Sequence, residues 1–592
     1  MNDLIYNEIV ATPGYELEFA VGTTYNLDAD AYLAVALSFA RLGDATDEDF
    51  KSPYRLLEGL RQANNSVAIF CNRGGLQPPM RMNPLYAMLD KSVFEIADER
   101  KGNELANFHP KIWVIKERSL DNKQKRQIKL IVMSRNLTKD SSLDVAVAMT
   151  APLGIKTDAE LRRKHQPLKD FLLILAEKAN SDKKKKIKKL ANELDSTGAF
   201  EIEPPYEDYE FLPIHFGENL NPSIDFRQEM PGERMAVVSP FIDAETLTWL
   251  NDYRRTQRKL LITRLDSLTP EIMKLYSDEN REIWVMSQIA EQNDILPMNL
   301  HAKMYFSWGV KGGGINLWLG SANATCNGFF RNSEFIVKLK LKRGRHQFED
   351  FKANFCDDKM QMCEMITSLP EIESDKKDDN SLVISVRKNL ISHNNLTANV
   401  IETDDYYIVT INARKIWNIP GKITFSPIQE SWNEAELTPE LHQCRIKITA
   451  PAHLSEFYIL KVEPLDEKIK PLRMVIRIIT NGIPENRDDH IFRSLIDTRE
   501  KFLNYVEMMI TDRPQELAIM MIQNLETDSC GTATNQTRRT NSLYESMLRI
   551  AATNPDRLED IEGLTNRLDT KVVPDSFQHM SKIFERSIKK LR

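Results

Sequence analysis

Short apolar runs, each bounded by polar or turn-forming residues, recur in two parallel series along the first part of the chain. In the first series Phe19-Ala20-Val21-Gly22-Thr23-Thr24-Tyr25 leads into LDADAYLAVALSFARL, whose apolar residues recur at helical spacing. In the second, Met235-Ala236-Val237-Val238-Ser239-Pro240-Phe241 leads into DAETLTWLNDYRR in the same way. A further apolar strand follows in each, Val67-Ala68-Ile69-Phe70 and Leu260-Leu261-Ile262-Thr263. Strands alternating with helices predict a mixed α/β sheet in each half. Each series then reaches a hairpin. Phe108-His109-Pro110-Lys111 opens a run whose return ends in Ser134-Arg135-Asn136, and Leu300-His301-Ala302-Lys303 opens one that returns to Ser321-Ala322-Asn323. The copies lie 301 − 109 = 192 residues apart. The return brings Asn136 back beside His109 and Asn323 back beside His301.

Beyond the hairpins the pattern changes. Residues 155–200 read as a helical excursion that contains the lysine run 183–189. From 380 to 482 the runs YYIVTI, KITF, CRIKI, FYILKV and RMVIRII, preceded by LVISV, alternate with polar turns and predict a small β-sandwich. From 485 to 592 apolar residues recur at three and four, predicting helices, with a polar loop over 527–541. The expected division is therefore a first α/β half over 1–205, a second over 206–375, a β-rich domain over 380–482 and a helical domain over 485–592.

Composition fits this reading. A chain of 592 residues with 42% hydrophobic content has material for several ordinary cores at ~150 residues each, and is not a disordered polymer. A formal charge of −7 argues against a general cationic coat but leaves room for a local basic cleft. The start, MNDLIYNEIV, has no basic and apolar leader pattern, and no stretch approaches ~18 apolar residues. The six cysteines form no CxxC pair. The expectation is a cytoplasmic, reduced protein with no membrane anchor.

The chemistry comes from the paired hairpins. A neutral imidazole can attack phosphorus while a second, protonated one donates to the leaving oxygen. Two lysines and two asparagines can surround the non-bridging oxygens with fixed donors. One half alone has a nucleophile or an acid, so the candidate site is His109, Lys111 and Asn136 together with His301, Lys303 and Asn323, on the seam between the halves. The chain has no HExxH and no carboxylate–histidine cluster, so neither metal nor other cofactor is expected.

These motifs resemble those of the phospholipase D superfamily, over about residues 10–345, and Gly320-Ser321-Ala322-Asn323 is close to its Gly-Ser-x-Asn. The resemblance implies two α/β halves with their histidines face to face and a phosphohistidine intermediate. It implies His109 as nucleophile and His301 as general acid, with Asp144 and Glu334 orienting an imidazole beside Ser134 and Ser321. Common members carry an Asp seven residues after each His, where this chain has Lys116 and Trp308. That departure is more similar to the tyrosyl-DNA phosphodiesterase branch and related bacterial nuclease-like proteins. The expected activity is thus a metal-independent phosphodiesterase acting on nucleic acid, DNA first, as an endonuclease or an end-processing enzyme. An alternative is a weakly active or non-enzymatic subunit of a helicase, restriction or anti-phage assembly, with the β-rich and helical regions engaging a protein partner. A lipid phosphodiesterase is the least favoured class.

Other motifs read more plainly. The lysine run suggests a solvated helix face, with a phosphate-backbone contact as the sharper option. Lys123, Lys125, Arg126 and Lys129 read as an exposed hairpin tip, ~25 Å of strand away from His109. Gly312-Gly313-Gly314 reads as the matching tip in the second half, and the remaining histidines as surface or packing residues.

Overall fold

The computed structural model of the chain describes residues 9–39, 53–79, 84–97, 106–138, 142–216, 224–252, 258–286, 299–309, 314–341, 348–356, 363–369, 386, 396–414, 421–438, 442–465 and 470–510. Nearer the C-terminus it describes 547–548, 561, 565, 568, 571–575, 577–579 and 583.

The first half is a six-stranded sheet built from β1 (Tyr15–Thr24), β2 (Val67–Asn72), β3 (Val93–Ile96), β4 (Ile112–Ser119), β5 (Arg126–Met133) and β7 (Ala146–Leu153), in the order β3-β2-β1-β4-β5-β7. β6 (Ser142–Leu143) lies outside it. The second half uses β8 (Tyr206–Ile214), β9 (Arg234–Val238), β10 (Arg258–Thr263), β11 (Arg281–Met286), β13 (Met304–Trp308), β14 (Ile315–Gly320), β15 (Glu334–Leu341) and β16 (Cys363–Met365). Their order is β16-β11-β10-β9-β13-β14-β15-β8, and β12 (Asn299–Leu300) lies apart.

Six strands correspond one to one between the halves. β1 pairs parallel with β2 and antiparallel with β4, as β9 pairs parallel with β10 and antiparallel with β13. β4-β5-β7 and β13-β14-β15 are matching antiparallel runs. Side chains at equivalent positions trade volume: Gly22 faces Trp113, where a Cβ would meet the indole at 2.7 Å, whereas the second half pairs Val237 with Tyr305.

Period-two alternation sends successive residues to opposite faces. Phe19 and Val21 on β1 and Ala236 and Val238 on β9 enter one shared core, so the two sheets bury a common layer. The helices Ala159–Glu177 and Ser181–Glu193 cover part of that core with Leu168, Phe171, Leu172, Leu175, Ile187 and Leu190. The lysine run is therefore not a wholly solvated face. Lys183 is fully buried, and its ammonium donates to the Asn64 carbonyl at 2.6 Å. The hairpin tip is also smaller than its sequence suggests: Lys123 and Lys125 are exposed, but Lys129 is buried within β5 and Arg126 pairs with Glu18 at 2.9 Å. In the second hairpin, Gly312 and Gly313 lie outside the described residues, and Gly309 donates its N–H to the Gly314 carbonyl at 3.2 Å.

Eight further strands, β17 (Leu396–Glu402), β18 (Tyr407–Ala413), β19 (Gly421–Pro427), β20 (Ala435–Glu436), β21 (Gln443–Ile448), β22 (Phe457–Pro464), β23 (Leu472–Arg477) and β24 (Thr480–Asn481), form two four-stranded sheets. Val409, Ile411 and Ile446 from one sheet meet Phe425, Leu460 and Ile476 from the other in a single core. This unit grips the first half through polar anchors. Arg477 donates to the carbonyls of Val93 and Asp90 at 2.6 and 2.8 Å, and Arg487, on the helix that follows the unit, adds a two-pronged pair with Asp90. Helices Arg487–Leu495 and Arg499–Ile510 follow; most of the helical pattern expected after 510, and the loop expected over 527–541, lie outside the described residues. Among the described residues, no helix is long and apolar enough to cross a membrane.

Candidate active site

The two hairpins bring the motif residues to the seam. β4 and β5 pair Ile112 with Val132, and the Met133 N–H donates to the Lys111 carbonyl at 3.0 Å, which sets Ser134-Arg135-Asn136 beside His109-Pro110-Lys111. β13 and β14 pair Met304 with Leu319, setting Ser321-Ala322-Asn323 beside His301-Ala302-Lys303. Gly320 is required at this turn, because a Cβ there would meet the Phe335 carbonyl oxygen at 2.2 Å.

Each histidine is held by the opposite half. The His109 N–H donates to the Ser333 carbonyl at 2.9 Å, and its ring Nδ1 lies 2.8 Å from Glu334 Oε2. The His301 N–H donates to the Leu143 carbonyl at 3.0 Å, and its Nδ1 lies 3.0 Å from Asp144 Oδ1. The short parallel pairing of β12 with β6 and the bridge between Phe108 and Ser333 carry this exchange. Two tripeptides, Ser142-Leu143-Asp144 and Asn332-Ser333-Glu334, thus play equivalent parts. In each, the middle carbonyl fixes the backbone and the acid fixes the ring. With the carboxylate accepting, Nδ1 carries the proton and Nε2 keeps its lone pair.

The acids are themselves braced. Asp144 accepts from Ser134 Oγ at 3.0 Å and from Ser142 Oγ, with the Arg135 guanidinium 3.6 Å away. Glu334 Oε2 accepts from Ser321 Oγ, and its Oε1 accepts from Asn332 Nδ2 at 3.2 Å. Ser134 and Ser321 thus act on the carboxylates rather than facing the seam alone.

Lys111 donates to the His109 carbonyl at 2.9 Å and Lys303 to the His301 carbonyl at 2.6 Å, both ammonium groups being buried. The carboxamide oxygens of Asn136 and Asn323 are buried and accept no hydrogen bond from the described residues. Such atoms call for a partner that enters from outside. The Tyr25 ring packs against His109 with centroids 5.0 Å apart.

Burial dominates the electrostatics. It pushes His109 down to about 4, with help from the Lys111 and Lys303 charges and against the opposing pull of Glu334. Burial and Lys303 also lower His301, against Asp144. Lys111 is held well below the usual lysine range, first by burial and then by Lys303. Burial would raise Asp144, but the His301 hydrogen bond and charge, Ser142 and Lys303 outweigh it and hold the carboxyl low. The mutual influence of Lys303 on His109, and of Lys111 on His301, places both halves' groups in one site.

The positions where the superfamily pattern has Asp serve other ends. Lys116 is buried in a network with Glu193 at 2.8 Å and Glu18 at 3.2 Å. Trp308 packs among Phe306, Phe348 and Phe351.

Ser142, Asn332 and Arg135 were not legible as site residues. The signal for the first two is a polar-x-acid tripeptide in each half. It is masked by spacing: Asp144 follows Asn136 by 8 residues and Glu334 follows Asn323 by 11.

No protein-family model matches the chain, and no curated protein matches it by sequence. Among solved structures, it is similar to a phosphatidylserine synthase from Haemophilus influenzae Rd KW20, with a TM-score of 0.35 and 10% identity over 63% of this chain and 86% of that one. It is also similar to a polyphosphate kinase from Porphyromonas gingivalis, with a TM-score of 0.27 and 11% identity over 64% of this chain and 50% of that one.

Proposed function

We propose that the chain is a metal-independent phosphodiesterase that cleaves nucleic acid, as an endonuclease or an end-processing enzyme, through a phosphohistidine intermediate. The observation that carries this reading is the crossed pair of histidine–carboxylate contacts, which gives one site two imidazoles of fixed tautomer beside two buried lysines. His109 Nε2 attacks phosphorus. The P–O bond to the leaving group breaks, and His301, protonated, gives its proton to the departing oxygen. Neutral His301 then takes a proton from water, whose oxygen attacks phosphorus and breaks the P–N bond, restoring His109. Lys111, Lys303, Asn136 and Asn323 are the donors to the non-bridging oxygens, where charge gathers in the transition state.

Two observations favour His109 as the nucleophile. Its side chain is 11% exposed against 19% for His301, so the imidazole that must work with water is the more accessible one. Burial also keeps His109 neutral down to about 4, and a nucleophile must be neutral. The choice of nucleic acid over lipid rests on the sequence pattern, Lys116 and Trp308 standing where common members carry Asp.

The test is incubation of the purified chain, in excess EDTA, with labelled single-stranded DNA, duplex DNA, RNA and phosphatidylcholine vesicles. Cleavage of a nucleic acid, with an alkali-stable, acid-labile phospho-adduct on the peptide containing Phe108-His109-Pro110-Lys111, is the expected result. Turnover of phosphatidylcholine alone would overturn the substrate class. Strict dependence on added Mg²⁺ would overturn the mechanism.

A further inference from the structure

The two turns that flank the seam are equivalent in backbone and different in what they display. In the first half Thr24 Oγ1 donates to the Asn26 carbonyl at 2.7 Å and accepts from the Leu137 N–H at 3.0 Å. In the second half Ser239 Oγ donates to the Phe241 carbonyl at 2.8 Å and accepts from the Ala324 N–H at 3.0 Å. The turns are closed alike, by Asp28 N–H on the Leu137 carbonyl and Asp243 N–H on the Ala324 carbonyl. Leu137 and Ala324 directly follow the site asparagines, so both turns border the site. Tyr25 turns inward onto His109, but its counterpart is Pro240, and the next residue is Phe241.

Phe241 is 47% exposed, although Ile242 beside it is bridged to Ala324. A single exposed apolar side chain needs no explanation by itself. Here three further facts bear on it. The Arg264 guanidinium lies over the ring, 5.4 Å from its centroid. Asp266 holds that guanidinium at 2.6 Å. The turn is pinned from below by Ser267 Oγ on the Pro240 carbonyl at 2.7 Å and by Thr263 Oγ1 on the Ser239 carbonyl at 2.8 Å. The result is a rigid aromatic–guanidinium surface, half in water, at the rim next to Asn323. Nucleobases stack on such surfaces regardless of sequence, because every base has a π face.

We propose that Phe241, backed by Arg264, is the stacking platform for a base of a single-stranded nucleic acid entering the site on the His301 side. The proposal rests on the phosphodiesterase reading only for what happens afterwards; binding can be tested without turnover. A preformed ring lowers the entropic cost on the protein's side, since the turn that carries it need not be reordered. It also places the strand by its bases where Lys111 and Lys303 attend to its phosphate, so recognition and chemistry fall to different residues.

The experiment uses the full chain with His109→Ala, so that the strand survives, in EDTA. Fluorescence anisotropy is measured with fluorescein-labelled oligothymidylate and with a strand of equal length made of abasic tetrahydrofuran units. Phe241→Ala should weaken binding of oligothymidylate roughly 5- to 150-fold, the range seen for loss of one base–aromatic stack. Phe241→Trp should restore it, and the two proteins should bind the abasic strand alike. Equal affinity of the Phe241→Ala protein for oligothymidylate, within about twofold, would overturn the platform, as would abasic and base-bearing strands binding equally to the parent. If the chain with His109 intact cleaves no diester while the Phe241 dependence of binding holds, the phosphodiesterase reading fails and the platform stands.

Discussion

Glu334→Gln is the sharpest perturbation of the crossed site, because it alters a second-half residue to disable the first-half histidine. Glu334 Oε2 accepts from both His109 Nδ1 and Ser321 Oγ, while Oε1 accepts from Asn332 Nδ2. A glutamine cannot serve all three. With its oxygen toward His109, its NH₂ faces the Asn332 NH₂; with its NH₂ toward His109, two donors meet there instead. Asn332 cannot simply turn over, since its Oδ1 accepts from the Asn107 N–H at 3.1 Å. The larger loss is the charge. As His109 bonds to phosphorus its ring becomes cationic, and a carboxylate at 2.8 Å stabilises that charge by ~6 kcal/mol at an effective dielectric of about 20. That is about 10⁴ in rate, similar to the effect of disturbing the acid of a serine-protease triad. The assay is single-turnover cleavage of a nitrophenyl phosphodiester, with thermal unfolding run alongside to show that the variant is folded. A loss of less than about tenfold would mean that Glu334 neither sets the tautomer nor carries the charge, and would refute the crossed arrangement as the basis of the site.

Four other outcomes follow from the structure. The free-enzyme pH profile of kcat/KM should be a bell on the acid side: His109 must be neutral, which it is above about 4, and His301 must be protonated, which holds only below its lowered value, itself under the ordinary 6.5; an acid limb at 6.5 or above would contradict it. Between those values the unfolded chain binds a proton at residue 109 that the folded chain does not, so stability should fall as pH drops from 6.5 toward 4, and His109→Ala should flatten that part of the curve in denaturant titrations. Lys111→Ala should cost roughly 10²–10³ in turnover, and the parent should be indifferent to EDTA, both read by the same diester assay; a metal requirement would mean that the lysines are not the main positive charge. Arg487→Ala should destabilise the fold by about 3–5 kcal/mol in urea denaturation, because it strands the buried Asp90; a change under about 1 kcal/mol would show that this ion pair does not anchor the helix to the first half.

What the sequence made legible was local. His-x-Lys followed by Ser-x-Asn sits in a hairpin, and a hairpin is closed by neighbours in the chain, so its pattern survives in the order of residues. Four of the six paired strands could be read for the same reason. β3, only Val93–Ile96, was not, because four residues give too little alternation to separate a strand from a turn. The crossed contacts were hidden more deeply. They join residues 225 and 157 positions apart, through parallel pairings of one or two residues that leave no periodic trace. Charge also misled in places. Lys129 and Lys183 look solvent-bound in the sequence, yet each stem runs through a packed layer and each ammonium finds a carbonyl.

The crossing has an energetic logic that a duplicated but independent pair of halves would lack. A buried lysine and a buried carboxylate each carry a desolvation cost of several kcal/mol when alone. Lys111 and Asp144 come from the first half, Lys303 and Glu334 from the second, and each lysine feels the other half's acid or lysine directly. Separating the halves would part His109 from Glu334 and His301 from Asp144, so the complete site exists only when the seam is closed. Among the described residues, the buried charged side chains gathered at the seam include Lys111, Lys303 and Arg135 against Asp144 and Glu334, three cations to two anions. One phosphodiester anion completes the balance. Burial holds Lys111 well below its usual range, and a diester beside it opposes that bias by favouring the ammonium. Substrate thus favours the charged form of the very group that must stabilise its transition state.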